Sequence, residues 1–219
     1  IALIGNPNSG KSTLFNLLTG LNQKVGNFPG VTVEKKTGKT TIFSTHLNQN
    51  ITAEIMDLPG TYSLNPKSID EKIASEYLTK KNNLDSPDVI IYIADSTNLK
   101  RSLFLATQVI ELGKPVILAL NMTDLATEKS IDIDTNLLAE KLKVKVIPIS
   151  ARKNSGIDKI KEAIVGELPV ATKKFVEKET KDLVKKTIDR YRVITEILNE
   201  CVKTKLFPEK ENFSHRLDK

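Results

Sequence analysis

Short, continuous apolar runs alternate along this chain with amphipathic stretches of helical period. That rhythm predicts strands buried on both faces with helices between them. The continuous runs are residues 1–4, 89–94, 116–120 and 144–149. Helical patterns occupy about 11–18, stopped by Gly20; 68–80, opened by the capping spacing Ser68-Ile69-Asp70-Glu71; 99–112, closed by Gly113; 135–142; and 156–168, ended by Pro169. Residues 33–36 and 40–43 read as short strands about a turn at Thr37-Gly38, and 51–57 alternates before turning apolar. These suggest an antiparallel edge pair leading into the sheet. Two stretches, 25–33 and 58–66, carry no period and read as irregular. The predicted class is α/β, a mostly parallel sheet flanked by helices.

After residue 169 the composition shifts toward Lys, Glu and Thr. Across 176–205 the apolar side chains Val184, Ile188, Tyr191, Leu198 and Val202, with Thr195 among them, step by three and four. That helical face must pack on the first domain or on a partner. The expected division is a first domain at 1–168 and a small all-helical domain at 169–219.

Composition narrows the class. A chain of 219 residues holds one full α/β domain with about 50 residues over. Hydrophobic content of 39% and charged content of 27% describe a soluble globular protein, and no run approaches the roughly 18 apolar residues of a membrane span. No signal peptide is visible. The chain opens inside a strand-like run without Met and ends with no recognisable stop, so it is expected to be a piece of something longer. One cysteine, Cys201, excludes an internal disulfide and suits a reducing compartment. It sits in a helical pattern and reads as a packed or surface thiol rather than a nucleophile. His46 and His215 have no Cys or carboxylate companions at metal spacing, so no transition-metal site is expected. The net charge of +6 is uneven: residues 170–219 hold 13 Lys+Arg against 9 Asp+Glu, the remainder 20 against 18. A solvated helix face explains the excess first, with a nucleic-acid or membrane-surface role as alternatives.

The chemistry begins directly after the first apolar run. Gly5-Asn6-Pro7-Asn8-Ser9-Gly10-Lys11-Ser12 fits G-x-x-x-x-G-K-[ST] between a strand and a helix, the context the pattern requires. Glycines let the backbone curl so that successive N–H groups face phosphate oxygens, and the following helix adds the positive end of its dipole. Lys11 would reach the β- and γ-phosphates and the Ser12 hydroxyl would sit on Mg²⁺. The triphosphate-binding set read from this loop is Gly5, Asn6, Asn8, Ser9, Gly10, Lys11, Ser12 and Thr13.

Asn121-Met122-Thr123-Asp124 follows a buried strand and selects the base. Asp124 can accept from guanine's ring N–H and exocyclic amine; adenine offers an acceptor and no amine there, leaving the carboxylate unpaired. Asn121 would tie this loop to the base and to the phosphate loop, Met122 would pack along the base, and Ser150-Ala151 would supply a backbone N–H for the guanine carbonyl. Asp57-Leu58-Pro59-Gly60 ends a strand in a D-x-x-G pattern: Asp57 would hold a water on Mg²⁺ and the Gly60 N–H would sense the γ-phosphate. Thr32 is the candidate for a second Mg²⁺ hydroxyl, in a loop that GTP orders and hydrolysis releases.

The ordered set of these motifs resembles the translation-factor-like small GTPases. With its flanks Val25-Gly26-Asn27-Phe28-Pro29-Gly30-Val31-Thr32-Val33-Glu34 and Asp57-Leu58-Pro59-Gly60-Thr61-Tyr62-Ser63-Leu64 it resembles the bacterial ferrous iron transport protein B family over its whole length. The resemblance implies a P-loop GTPase domain at 1–168 and a helical, dissociation-inhibitor-like spacer at 169–219 leading toward an absent membrane region. It implies the cytoplasmic part of a multi-pass inner-membrane protein that moves ferrous iron, using GTP/GDP and Mg²⁺. Its partners would be its own transmembrane domain, a small accessory iron-transport protein and further copies of itself, and no nucleic acid. The family is also similar to potassium-activated GTPases, which assigns K⁺ to Asn8, completed by the backbone of Gly26 and Phe28. Lys11, Asn8 and Gly60 would then support the transition state. Three residues depart from the common patterns: Thr61 stands where many small GTPases carry a water-orienting glutamine, Phe28 where this family commonly has Trp, and Met122 where the guanine motif has lysine. No catalytic base is assigned. The competing readings are a nucleic-acid-associated GTPase, supported only by the basic C-terminal segment, and a scaffold that binds GTP without turnover.

Overall fold

The computed structural model describes residues 1–21, 23–28, 31–79, 86–171, 173–176 and 182–204. Seven strands form one sheet: β1 (Ala2–Gly5), β2 (Gln23–Asn27), β3 (Glu34–Ser44), β4 (Gln49–Asp57), β5 (Ile90–Asp95), β6 (Val116–Asn121) and β8 (Lys145–Pro148), in the order β2-β3-β4-β1-β5-β6-β8. β1 runs parallel to β4 and β5, β6 to both of its neighbours, while β2–β3 and β3–β4 are antiparallel. The apolar runs become the central strands because both of their faces are covered. On one face Ala2, Ile4, Tyr92 and Leu118 meet α2 (Ile69–Thr79), α3 (Leu99–Ile110), α5 (Thr135–Leu142) and α7 (Leu183–Cys201). On the other, Leu3, Ile91, Ile93 and Ile117 meet α1 (Lys11–Thr19) and α6 (Ile157–Val165). β1 lies between β4 and β5: from β1 the chain passes through α1 to the β2–β4 side of the sheet and then crosses through α2 to β5 on the other, so the crevice at its carboxyl end is a topological switch point.

Several local expectations change. Glu34–Ser44 is one continuous strand, not two about Thr37-Gly38: Gly38 pairs with Gln23 on one side and Ile55 on the other, and the reversal falls at 45–48. Part of the stretch read as irregular, 25–27, belongs to β2. α6 ends at Val165, before Pro169 is reached. A short helix α4 (Thr123–Glu128) and β7 (Ile131–Ile133) occupy a region given no element above. The helix read over 176–205 is α7; Val202–Thr204 leaves it as β9 and pairs antiparallel with β7. The expected helix end at Lys80 and the closing 213–219 lie outside the described residues. Among the described residues no helix is long and apolar enough to cross a membrane.

α7 packs through Ile194, Ile197 and Cys201, with Tyr191 stacked on Phe104 of α3 at 4.8 Å between centroids. Val184 and Ile188, counted in the apolar stripe, are instead exposed. Arg190 takes the inward place, donating to Thr107 Oγ1 at 2.9 Å and Glu111 Oε2 at 2.7 Å.

Candidate functional site

The loop after β1 turns through a left-handed Asn8 (φ 64°) and Gly10 (φ 90°) into α1. A Cβ on Gly5 would stand 2.4 Å from Ile93 Cγ2 and 2.6 Å from its carbonyl oxygen, so only glycine lets the loop leave the sheet at this depth. Asn6 is buried and spends its side chain on scaffold: its Oδ1 lies 3.1 Å from the Tyr92 hydroxyl, which also sits 2.5 Å from the Ser102 carbonyl. Burial pushes the Tyr92 phenol far above its ordinary range, leaving it a neutral strut. Ser9 is buried with its Oγ lacking a partner among the described residues. Ser12 and Thr13 are exposed on the first turn of α1.

One amide joins the phosphate loop to the base loops. Asn121 Nδ2 donates to the Ser9 carbonyl at 2.8 Å, and Asn121 Oδ1 accepts from the Ala151 N–H at 2.9 Å. Thr123 donates its N–H and Oγ1 to the Ile149 carbonyl, at 3.3 and 2.9 Å. Met122, left-handed at φ 63°, turns the chain from β6 into α4 and so sets Asp124 on that helix's first turn. Burial pushes the Asp124 carboxyl up, but the Ser150 hydroxyl, two backbone N–H groups and the Lys153 ammonium hold it below its ordinary value. It is an ionised acceptor at neutral pH, which is the state a donor-rich base edge requires.

At the other end Lys11, Ser12, Thr32, Asp57 and Gly60 share the wall of one cavity of about 460 Å³, with Lys36 and Asp70 also on its rim. Lys11 donates to Asp57 there, both side chains being largely buried. Sequence reasoning placed five of these residues and missed Lys36 and Asp70, which stand on a strand and a helix flanking the motifs. Asn8, Gly26 and Phe28 are not on this wall. Gly26 faces Lys35 in the β2–β3 ladder, and Phe28 is buried in the larger core with its N–H on the Val33 carbonyl at 2.9 Å.

The stretch 58–66 is tied down by residues given no such role in the sequence reading. Thr61 is fully buried, its Oγ1 lying 2.8 Å from the Ser63 carbonyl and 3.1 Å from Glu71 Oε1. Ser68 caps α2 by accepting the Glu71 N–H at 3.2 Å, as the capping spacing predicts. The Glu71 carboxylate turns into the loop instead, accepting from Lys67 N at 2.8 Å and Tyr62 N at 3.4 Å. Gln108 Oε1 accepts from Leu64 N at 2.6 Å and Ser63 Oγ at 3.1 Å. Arg101 lies over the Tyr62 ring, 4.1 Å from its centroid.

Comparison with known proteins places this geometry. The family model described as ferrous iron transport protein B matches residues 1–164. The curated Fe(2+) transporter FeoB of Legionella pneumophila (strain Paris) is 50% identical over 167 residues, covering 74% of this chain and 21% of that protein. The chain therefore spans about a fifth of that relative's length. Among solved structures, the cytosolic domain of L. pneumophila FeoB aligns with TM-score 0.81 at 35% identity, over 93% of this chain and 99% of that one. The cytosolic domain of the T. maritima FeoB iron transporter in its GMPPNP form aligns with TM-score 0.78 at 31% identity, over 92% and 98%.

Proposed function

This chain belongs to the ferrous iron transport protein B family, and on that premise we propose that it binds GTP with Mg²⁺ and hydrolyses it to GDP and phosphate on the cytoplasmic side of a ferrous iron transporter. The observation that carries the reading is the Asn121 clamp, which holds the phosphate loop and both base loops in one arrangement suited to a single nucleotide. Asp124 takes guanine's two N–H donors; the Ala151 N–H, now on Asn121 Oδ1 at 2.9 Å, would turn from that amide to share in meeting guanine's carbonyl. The phosphates lie along the loop from Gly5 to Thr13.

The cavity at Asp57 fits the magnesium end. Two hydroxyls and a carboxylate are the hard oxygen donors Mg²⁺ accepts. Ser12 and Thr32 would bind the ion directly and Asp57 through water, and the ion would supply positive charge against that of the phosphates. Lys11, now on Asp57, swings to the β/γ-phosphates, and the Gly60 N–H meets the γ-phosphate. Water attack at phosphorus breaks the bond to the bridging oxygen, whose developing charge falls to Lys11 and the loop N–H groups. Thr61, buried and engaged, does not orient that water. Asn8, with backbone from Gly26 and Phe28, would hold K⁺ as a further positive charge. Hydrolysis is then faster in K⁺ than in Na⁺, and Asn8→Ala removes the difference; equal rates in both salts overturn the potassium assignment.

Through Thr32 and Gly60, GTP orders the loop that carries Thr32 and the loop at 60–68, and the segment from 169 onward relays that state to the transporter's membrane part. An accessory protein and self-association belong to the same proposal. Family membership favours this over a nucleic-acid-associated GTPase, whose support is the C-terminal charge alone. Binding measurements test the site. Lys11→Ala abolishes GTP binding, and Asp124→Asn lowers GTP affinity more than about tenfold, two charge-assisted hydrogen bonds being at stake, with little effect on ATP. An unchanged GTP-to-ATP preference in Asp124→Asn would overturn the guanine reading.

A further inference from the structure

Lys153 approaches the base-reading carboxylate directly with its side chain and, through Ser150, with its backbone. Its N–H donates to Ser150 Oγ at 3.3 Å, which leaves that hydroxyl's own proton for Asp124. Its Nζ stands 3.8 Å from Asp124 Oδ2, at a carboxylate only 7% exposed. The loop that presents it is closed by reciprocal backbone bonds between Ser150 and Ser155, and Asn154 (φ 51°) supplies the left-handed turn. Lys153 itself is 60% exposed, so its ammonium reaches in from the rim and does not build the core. The position next to Asn121 that could have carried a cation is Met122.

We propose that Lys153 is a specificity-determining positioning residue, whose ammonium holds the Asp124 carboxylate in the plane of the base so that both guanine N–H donors are met together. The inference rests on the guanine reading of this site. Two parallel hydrogen bonds require the carboxylate to be coplanar with the base, whereas one bond tolerates rotation about the Cβ–Cγ axis. Removing the group that holds the plane therefore harms a base with two donors more than a base with one.

The test compares GDP with IDP, which lacks the exocyclic amine, by titration calorimetry on wild type, Lys153→Met and Lys153→Arg. Lys153→Met should narrow the GDP-over-IDP preference about two- to fivefold, the range for a rim ion pair, and Lys153→Arg should restore it. The narrowing should shrink in high salt, where the pair is screened. Equal losses for GDP and IDP would mean that Lys153 only attracts the phosphates, and would overturn the proposal. So would an unchanged preference, or failure of arginine to restore it. Absence of guanine-nucleotide binding by wild type would overturn the site reading itself, a separate result.

Discussion

Gly10 stands at φ 90°, and a Cβ there would lie 2.3 Å from the Asn121 Nδ2 that holds the Ser9 carbonyl. Gly10→Ala thus meets two costs, a left-handed backbone worth about 1–2 kcal/mol and displacement of the amide that joins phosphate loop to base loop. The first lowers thermal stability by about 2–8 °C for a chain of this size. The second should lower GDP affinity more than about tenfold. Calorimetric melting and GDP titration on the same variant separate them; a melting shift with unchanged affinity would show that Asn121 does not need that space. Positions set by a short motif were legible in this way. Lys11, Ser12, Asp57, Asn121 and Asp124 stand where the pattern places them. Asn6 was not, because its neighbour in space is Tyr92, distant in sequence.

Glu71 shows what an element adds to a residue. The spacing Ser68…Glu71 predicts a helix start, and half of it appears, but the carboxylate serves the preceding loop and not the cap. The Lys67 N–H lowers its pKa most, burial opposing, with the Thr61 hydroxyl and Tyr62 N–H adding to the fall. A carboxyl held below its unfolded value stabilises its loop above that unfolded value, and the contribution is lost as pH falls through the lower folded one. Amide protection of Tyr62 and Lys67, corrected for intrinsic exchange, should therefore collapse on the acid side in wild type. In Glu71→Gln it should be weak already at neutral pH. Gln108→Ala, removing the acceptor for Leu64 N, should loosen the same loop from α3. Strand boundaries were less legible than such caps. The sequence Glu34-Lys35-Lys36-Thr37-Gly38 carries a turn-like Thr-Gly and little apolar character, yet β3 runs straight through it. Pairing on both edges satisfies the backbone there and overrides local preference.

At the scale of the molecule, α3 lies between the loop at 58–66 and the C-terminal segment. Gln108 and Arg101 hold the loop; Phe104, Thr107 and Glu111 hold α7 and the chain before it, where Glu111 Oε1 accepts the Phe175 N–H at 2.7 Å. The doubly covered sheet was legible because strands buried on both faces must read as unbroken apolar runs. The seating of α7 was not, because periodicity discards Arg190 as polar and counts Val184 and Ile188 as inward. Arg190 is inward since its guanidinium finds both an uncharged and a charged acceptor, while its stem packs. Removing it leaves Glu111 without its countercharge in a largely enclosed place. The pair's side chains are 10% and 21% exposed, so the loss for Arg190→Ala should fall below the full range for a buried pair, at about 2–3 kcal/mol. Arg190→Met combined with Glu111→Gln keeps the volume and removes both charges, and should recover more than half of that loss in urea unfolding. If the double variant is no more stable than Arg190→Ala, the contact between α3 and α7 depends on charge and not on packing. The unfolding would then lose cooperativity between the two parts of the chain.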